Sequence, residues 1–132
     1  MWLWGLVSLS GLPVVTPPVV AQTLIVQSIT DSRGDDIMTD EHWRTLYTYD
    51  LDYHDQPTCL DECAALWPPF EAARDALGGG GFAIVRRPDG KLQWSYGGNP
   101  LYYYSKDKQK FDIRGDGVGG VWHYARLPGG ND

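Results

Sequence analysis

The chain has 132 residues, enough for one ordinary domain, and its 17 acidic and 11 basic side chains give a net charge of −6. Its 6 Trp, 8 Tyr and 16 Gly favour β-strands and turns over long helices. We find no heptad or collagen repeat, no series of membrane spans and no basic run. These observations exclude a coiled coil and argue against a nucleic-acid partner.

The N-terminal segment, residues 1–21, is predicted to be a signal peptide. It contains no charged side chain, its apolar stretch has the length of a signal-peptide core, and Val19–Ala21 fits a cleavage site after Ala21. The apolar run is also shorter than the roughly 20 residues that a membrane span needs. We therefore expect an exported, periplasmic or extracellular protein that begins near Gln22 and has no transmembrane span once processed.

The rest of the chain consists of two copies of one unit. A shift of 55 residues superposes residues 28–69 on 83–124 without a gap, with 7 identities in 42 positions. Five of the identities form one pattern, L-Y-x-Y-x-x-D-x14-W. The side chains concerned, besides the leucines, are Tyr47, Tyr49, Asp52 and Trp67 in the first copy and Tyr102, Tyr104, Asp107 and Trp122 in the second.

The motif sits at the end of a strand in each copy. Its two tyrosines are two residues apart, so their side chains point to the same face of that strand. The aspartate lies just beyond the strand, where we expect it to accept backbone N–H bonds in the following turn. In the second copy this strand is predicted to start at Asn99 and to continue through Tyr104.

The elements around the motif are mainly strands. Each copy begins with two alternating strands, which in the second copy are 82–87 and 91–96 around a Pro-Asp-Gly turn. After the first motif, Thr58 is predicted to cap a short helix over Leu60–Leu66, with Asp61 at the capping-box position. The glycines of the second copy instead favour a loop that leads into a last strand over Val121–Arg126.

We therefore predict a mainly β fold with one short helix. Its two pseudo-repeats of antiparallel strands, about 28–70 and 83–125, should pack as one small domain over residues 22–127. Neither repeat is large enough to bury sufficient apolar surface alone. The tail, residues 128–132, is expected to be disordered.

These motifs resemble the secreted-repeat lipoprotein family of bacteria. The segments concerned are LYTYDLD and CLDECAALWPP in the first half, and WSYGGNPLYYYSKD and GDGVGGVW in the second. The family is described by a Y-x-(F/W/Y)-x-x-D motif, and the resemblance covers about residues 24–126. It implies export and a repeat layout but no activity, since the family is of unknown function. Many members are lipoproteins, but this chain has no lipid-attachment cysteine after its apolar segment, so membrane anchoring is not implied.

Two cysteines, Cys59 and Cys63, lie in the predicted mature chain. An exported domain with an even number of cysteines favours a disulfide. The alternative is a functional pair: two thiols and a nearby imidazole, that of His54, would suit copper, and a strained disulfide would suit thiol exchange. The second copy has Arg114 and Val118 at the equivalent positions, so the repeat as such does not require the pair.

The motif aromatics also allow two interpretations. They form either the core face of each strand or an exposed surface for a glycan, a haem or another flat ligand. The carboxylates form two groups, which favour turns and resemble a calcium loop only in part; they are Asp50, Asp52 and Asp55, and Asp107, Asp112 and Asp116. We expect no cofactor, and copper, calcium and haem are the alternatives.

No nucleophile elbow, phosphate loop or zinc-protease motif occurs in the sequence. We therefore expect a non-enzymatic module of the cell envelope that binds an envelope protein or a small ligand, or has a structural role. One alternative is a periplasmic redox or copper-handling protein that uses the Cys59/Cys63 pair. A further alternative is a carbohydrate-binding or carbohydrate-active protein.

Overall fold

A computed structural model describes residues 11–14 and 26–127. Apart from residues 11–14, the predicted signal peptide (1–21) lies outside this part of the chain, as does the predicted tail (128–132). Within the described ranges, no helix combines the length and the apolar character that a membrane crossing requires.

The described residues form a mainly β structure, which confirms the predicted fold class. The strands are β1 (Val26–Thr30), β2 (Asp36–Asp40), β3 (Tyr47–Tyr49), β4 (Phe82–Arg86), β5 (Leu92–Tyr96), β6 (Asn99–Pro100) and β7 (Trp122–Tyr124). Within the described residues they make three antiparallel sheets, β1–β2, β3–β7 and β4–β5–β6. A short helix, α1 (Glu62–Leu66), and a 3-10 turn over Val118–Gly120 complete this part of the chain.

Each copy opens with a hairpin. In the second copy, β4 and β5 pair from Phe82 opposite Tyr96 to Arg86 opposite Leu92, and Gly90 adopts the positive φ of 88° that the turn between them requires. The strand predicted from Asn99 through Tyr104 is shorter than expected and ends at Pro100. Beyond that point Tyr102 forms single bridges to Tyr47 on one side and Pro69 on the other, so the backbone leaves β5.

Helix α1 is also shorter than predicted and lacks the predicted cap. Asp61 stands at the N-cap position with φ 53°, and no side chain caps the helix. The Thr58 hydroxyl donates instead to Asp52 Oδ1 at 2.8 Å, because the motif aspartate folds back over the turn that precedes the helix. The last strand, predicted over Val121–Arg126, is likewise confined to Trp122–Tyr124.

The two copies are joined because the motif strand of each copy pairs with the last segment of the other copy. The first copy's β3 pairs with the second copy's β7, and the Ala125 N–H donates to the Leu46 carbonyl at 2.8 Å. At the equivalent place, 55 residues away in each partner, the Phe70 N–H donates to the Leu101 carbonyl at 2.9 Å. Between these pairs, Tyr47 and Tyr102 exchange both backbone hydrogen bonds, at 2.8 and 2.9 Å. The two copies are thus related by a pseudo-two-fold axis at this bridge.

Candidate functional site

The motif aromatics form one continuous stack at the centre of the molecule. Trp67 and Trp122 lie face to face with ring centroids 3.8 Å apart. Tyr104 stacks on the outer face of Trp67 and Tyr49 on that of Trp122, each at 4.1 Å. The order along the stack therefore alternates between the copies, and each tyrosine covers the tryptophan of the other copy.

The remaining motif tyrosines pack edge-on against this stack. The Tyr47 ring meets Trp67 at 5.4 Å and 78°, and the Tyr102 ring meets Trp122 at 5.2 Å and 90°. Edge-to-face contacts of this kind are favourable because the positive ring edge faces the negative π surface. Gly115 closes one side, where a Cβ atom would stand 2.7 Å from the Trp67 ring, so only glycine fits there.

The two copies also exchange their tyrosine–aspartate hydrogen bonds. The Tyr47 hydroxyl donates to Asp107 Oδ2 at 2.7 Å, and the Tyr102 hydroxyl donates to Asp52 Oδ2 at 2.8 Å. Each aspartate also accepts a backbone N–H within its own copy, from Thr58 to Asp52 at 2.7 Å and from Arg114 to Asp107 at 3.0 Å. One carboxylate therefore fixes its own turn and the tyrosine of the other copy.

Burial controls the protonation of these pairs. Neither Tyr47 nor Tyr102 has exposed surface, and burial, reinforced by the neighbouring carboxylate, raises the pKa of both phenols above the usual range. Burial also raises the pKa of Asp52 and of Asp107, although their hydrogen bonds act in the opposite direction. Both tyrosines therefore stay neutral donors at physiological pH.

A double-mutant cycle tests the crossed partnership. Tyr102→Phe combined with Asp52→Ala should show a coupling free energy of about 1.5–3 kcal/mol, the range for hydrogen bonds to charged groups. The same Tyr102→Phe combined with Asp107→Ala is the matched control and should be additive to within about 0.5 kcal/mol. Urea unfolding of the four proteins in each cycle measures both values, and equal coupling in the two cycles would contradict the crossed arrangement.

The two cysteines are joined by a disulfide, with their Cα atoms 5.2 Å apart. Cys59 is fully buried and belongs to the aromatic core, against which Cys63 packs. The third member of the predicted copper or redox set, His54, is 81% exposed, and its Nε2 lies 3.5 Å from Asp55 Oδ2. The site thus holds an oxidised pair anchored at one end in the core.

Removing the disulfide should lower the free energy of unfolding by about 2 kcal/mol, because a loop of about 5 residues is no longer closed in the unfolded chain. The variant Cys59→Ala/Cys63→Ala, compared with the wild type by urea unfolding, measures the effect. Adding reductant should destabilise the wild type and leave this variant unchanged. An unchanged midpoint in the variant would show that the bond does not stabilise the fold.

Three of the predicted calcium carboxylates are engaged in separate hydrogen bonds, each with different partners. Asp50 Oδ2 lies 2.8 Å from His123 Nε2, Asp55 accepts the Ser95 hydroxyl, and Asp112 accepts two backbone N–H groups of its own loop. Among the described residues, no three His, Cys, Asp or Glu side chains form a group that could hold a metal ion.

One structural residue that sequence reasoning missed is Arg87. Its guanidinium is buried and donates to the Gln93 side chain at 2.7 Å and to the Cys59 carbonyl at 3.0 Å. It therefore joins the hairpin of the second copy to the disulfide of the first. A single arginine at the end of a hairpin strand has no sequence pattern that would reveal this role.

The fold and the interlocked motif define a tandem-repeat β module with one disulfide inside its first copy. Residues 83–126, which span the second copy, match the model of a family described as a secreted repeat of unknown function. The match confirms the resemblance over this part of the chain, and the family concerned is described as secreted. No curated protein and no solved structure matches the chain significantly.

Proposed function

We propose that the protein is a non-enzymatic module of the cell envelope that acts by binding an envelope protein or a small ligand. The observation that carries this proposal is that the motif residues are used to hold the two copies together. Tyr47 and Tyr102 have no exposed surface, and their hydroxyl protons are committed to carboxylates. A core of this kind offers no group to a substrate, so recognition belongs to the surface around it.

Three observations support export to the periplasm or the cell exterior. The predicted signal peptide over residues 1–21 would direct secretion, and the match to a secreted repeat agrees with that route. The Cys59–Cys63 disulfide fits an oxidising compartment.

The disulfide also favours binding over copper handling. Copper(I) prefers thiolate ligands, and neither sulfur of a disulfide is a thiolate. Cys59 is buried, and its carbonyl accepts a hydrogen bond from the Arg87 guanidinium. The Cys59 end of the disulfide is therefore fixed in the core. These contacts support a structural bond that persists while the protein works.

Mass spectrometry of the protein secreted from a bacterial host tests the proposal. We expect a chain that begins at Gln22, with a mass about 2 Da below that of the reduced form because of the disulfide, and a native ion without adduct. A retained copper or haem mass that is lost on acidification would instead identify a cofactor-handling protein and overturn the choice of binding over copper handling. A chain that stays in the cytoplasm and keeps residues 1–21 would contradict the proposed export.

A further inference from the structure

A cavity of about 330 Å³ lies beside the hairpin of the second copy. The hairpin contributes Arg86, the last residue of β4, and residues 90–92, which lead into β5. The other side is formed by the segment that links the two copies, whose Ala72 N–H donates to the Leu92 carbonyl at 3.0 Å. This hydrogen bond fixes the two sides to each other. The volume lies in the range of roughly 300–1,000 Å³ that small-ligand sites usually have.

The cavity is positively charged. Among the described residues, its lining includes the cations Arg74, Arg86 and Lys91 and the single carboxylate of Glu71. Lys91 Nζ lies 3.4 Å from Glu71 Oε1, so these two charges largely offset each other. The two arginines remain as excess positive charge, although the whole chain has a net charge of −6. A cavity of this sign attracts an anion.

The two arginines differ from the others in having free donors. The other five of the chain's seven arginines each pair with an aspartate at 2.9 to 3.5 Å; they are Arg33, Arg44, Arg87, Arg114 and Arg126. In the part of the chain that the structure describes, neither Arg74 nor Arg86 has a carboxylate partner. Both residues are exposed, so their guanidinium groups are available to a ligand.

The hairpin of the first copy has the opposite charge at the same end. Next to the turn, β1 and β2 pair Thr30 with Asp36, whereas β4 and β5 pair Arg86 with Leu92. The first turn also contains Asp31, whose carboxylate accepts two backbone N–H groups of that turn. The repeat therefore forms its hairpin without a basic end, and the arginines are particular to the second copy.

The arrangement of donors favours phosphate over other anions. A guanidinium group binds a carboxylate or a phosphate with two parallel hydrogen bonds. A carboxylate has only two oxygens, which one guanidinium occupies, whereas a phosphate monoester has three terminal oxygens that two guanidinium groups can share. Its charge of about −1.5 to −2 at pH 7 also matches the two unpaired arginines. Ala72 and Leu92 add apolar surface to the lining for the organic part of the ligand.

We propose that this cavity binds a small organic phosphate monoester, with Arg74 and Arg86 holding the phosphate oxygens and Leu92 contacting the organic part. The proposal rests on the binding function proposed above and names its ligand class. The same phosphate group occurs in free small molecules and in the headgroup of phosphatidic acid. The experiment therefore has one arm for each source.

Amide NMR spectra of the secreted, disulfide-bonded protein test the proposal at low ionic strength, because salt screens exposed charges. Glycerol 3-phosphate should shift the amide signals of residues 71–74, 86 and 90–92. Arg74→Gln and Arg86→Gln should each weaken binding about threefold to tenfold, less than at a buried site because both side chains are exposed. For the same reason, both variants should keep the wild-type melting temperature.

A matched control separates a site from general attraction. Lys106 is also an exposed cation, and Lys106→Gln removes the same charge outside the cavity, so it should leave the affinity unchanged. The proposal is wrong if glycerol 3-phosphate does not bind, if binding survives Arg74→Gln combined with Arg86→Gln, or if Lys106→Gln weakens it equally. It is also wrong if acetate binds as tightly as glycerol 3-phosphate.

Co-sedimentation with phosphatidylcholine vesicles, with and without phosphatidic acid, forms the second arm. Binding of glycerol 3-phosphate without sedimentation would support a free small molecule as the ligand. Sedimentation that requires both phosphatidic acid and the two arginines would support the lipid headgroup. A correctly processed protein that binds neither probe would overturn this inference alone, because failure of the broader binding function would appear in the mass spectra.

Discussion

Tyr47→Ala and Tyr102→Ala are each expected to lower the free energy of unfolding by about 3 kcal/mol, as for other buried aromatic residues. Each ring has no exposed surface and packs edge-on against a tryptophan of the stack. Each substitution also removes the tyrosine hydroxyl that donates to the aspartate of the other copy. Because the two sites are equivalent under the pseudo-two-fold axis, the two variants should lose similar stability.

Chemical denaturation followed by tryptophan fluorescence measures these losses. Tyr53→Ala is the matched control, because the Tyr53 side chain is 70% exposed, and its effect should stay within about 0.5 kcal/mol. Near-wild-type stability in both Tyr47→Ala and Tyr102→Ala would show that these rings face solvent, which would favour a binding surface over a core.

Alkaline pH is expected to unfold the protein steeply. The pKa values of Tyr47, Tyr102 and Tyr103 are raised in the folded state, first by burial and then by their carboxylate partners. In the unfolded chain a tyrosine titrates near pH 10. A group with a raised folded pKa contributes stability that is present below the unfolded pKa and is lost as the pH rises above it. Tyr47 and Tyr102 are fully buried, so each should lower the free energy of unfolding by about 1.4 kcal/mol for every pH unit above pH 10.

Tyrosinate absorbance and circular dichroism, recorded in one titration, test this expectation. The buried phenols should ionise only together with the loss of structure. In the variant Tyr47→Phe/Tyr102→Phe, stability should fall less steeply above pH 10, although the variant starts from a lower value. Complete ionisation of all tyrosines in a protein that keeps its fold would contradict the buried, hydrogen-bonded arrangement.

Local chemistry made the strands of this fold predictable. The β4–β5 hairpin follows from alternating side chains around Pro88-Asp89-Gly90, and its register agrees with that pattern. The helix limits were less accurate because Thr58 could satisfy either a helix terminus or Asp52, and only the folded turn decides between them. The sequence does not show which of two hydrogen-bond partners of similar strength a side chain will choose.

The motif residues were found by comparing the copies, but their contacts were not. A shift of 55 residues shows which side chains are equivalent, yet it does not tell whether Tyr47 meets the aspartate of its own copy or that of the other. The structure places it on Asp107. The unpartnered Thr45 hydroxyl and the buried Arg87 were equally invisible, since both depend on neighbours distant in the chain.

Because each copy pairs its motif strand with the other copy, any protein built from this unit needs two copies. A lone copy would present a motif strand without its closing strand, a tyrosine without its aspartate and a tryptophan with one face bare. A second copy would supply the missing strand, the missing aspartate and the missing ring. The smallest complete form of a lone copy would therefore be a homodimer. Joining two copies in one chain replaces that concentration-dependent association with an intramolecular one. It also frees the two ends of the stack to diverge, which a symmetric dimer of identical subunits cannot do.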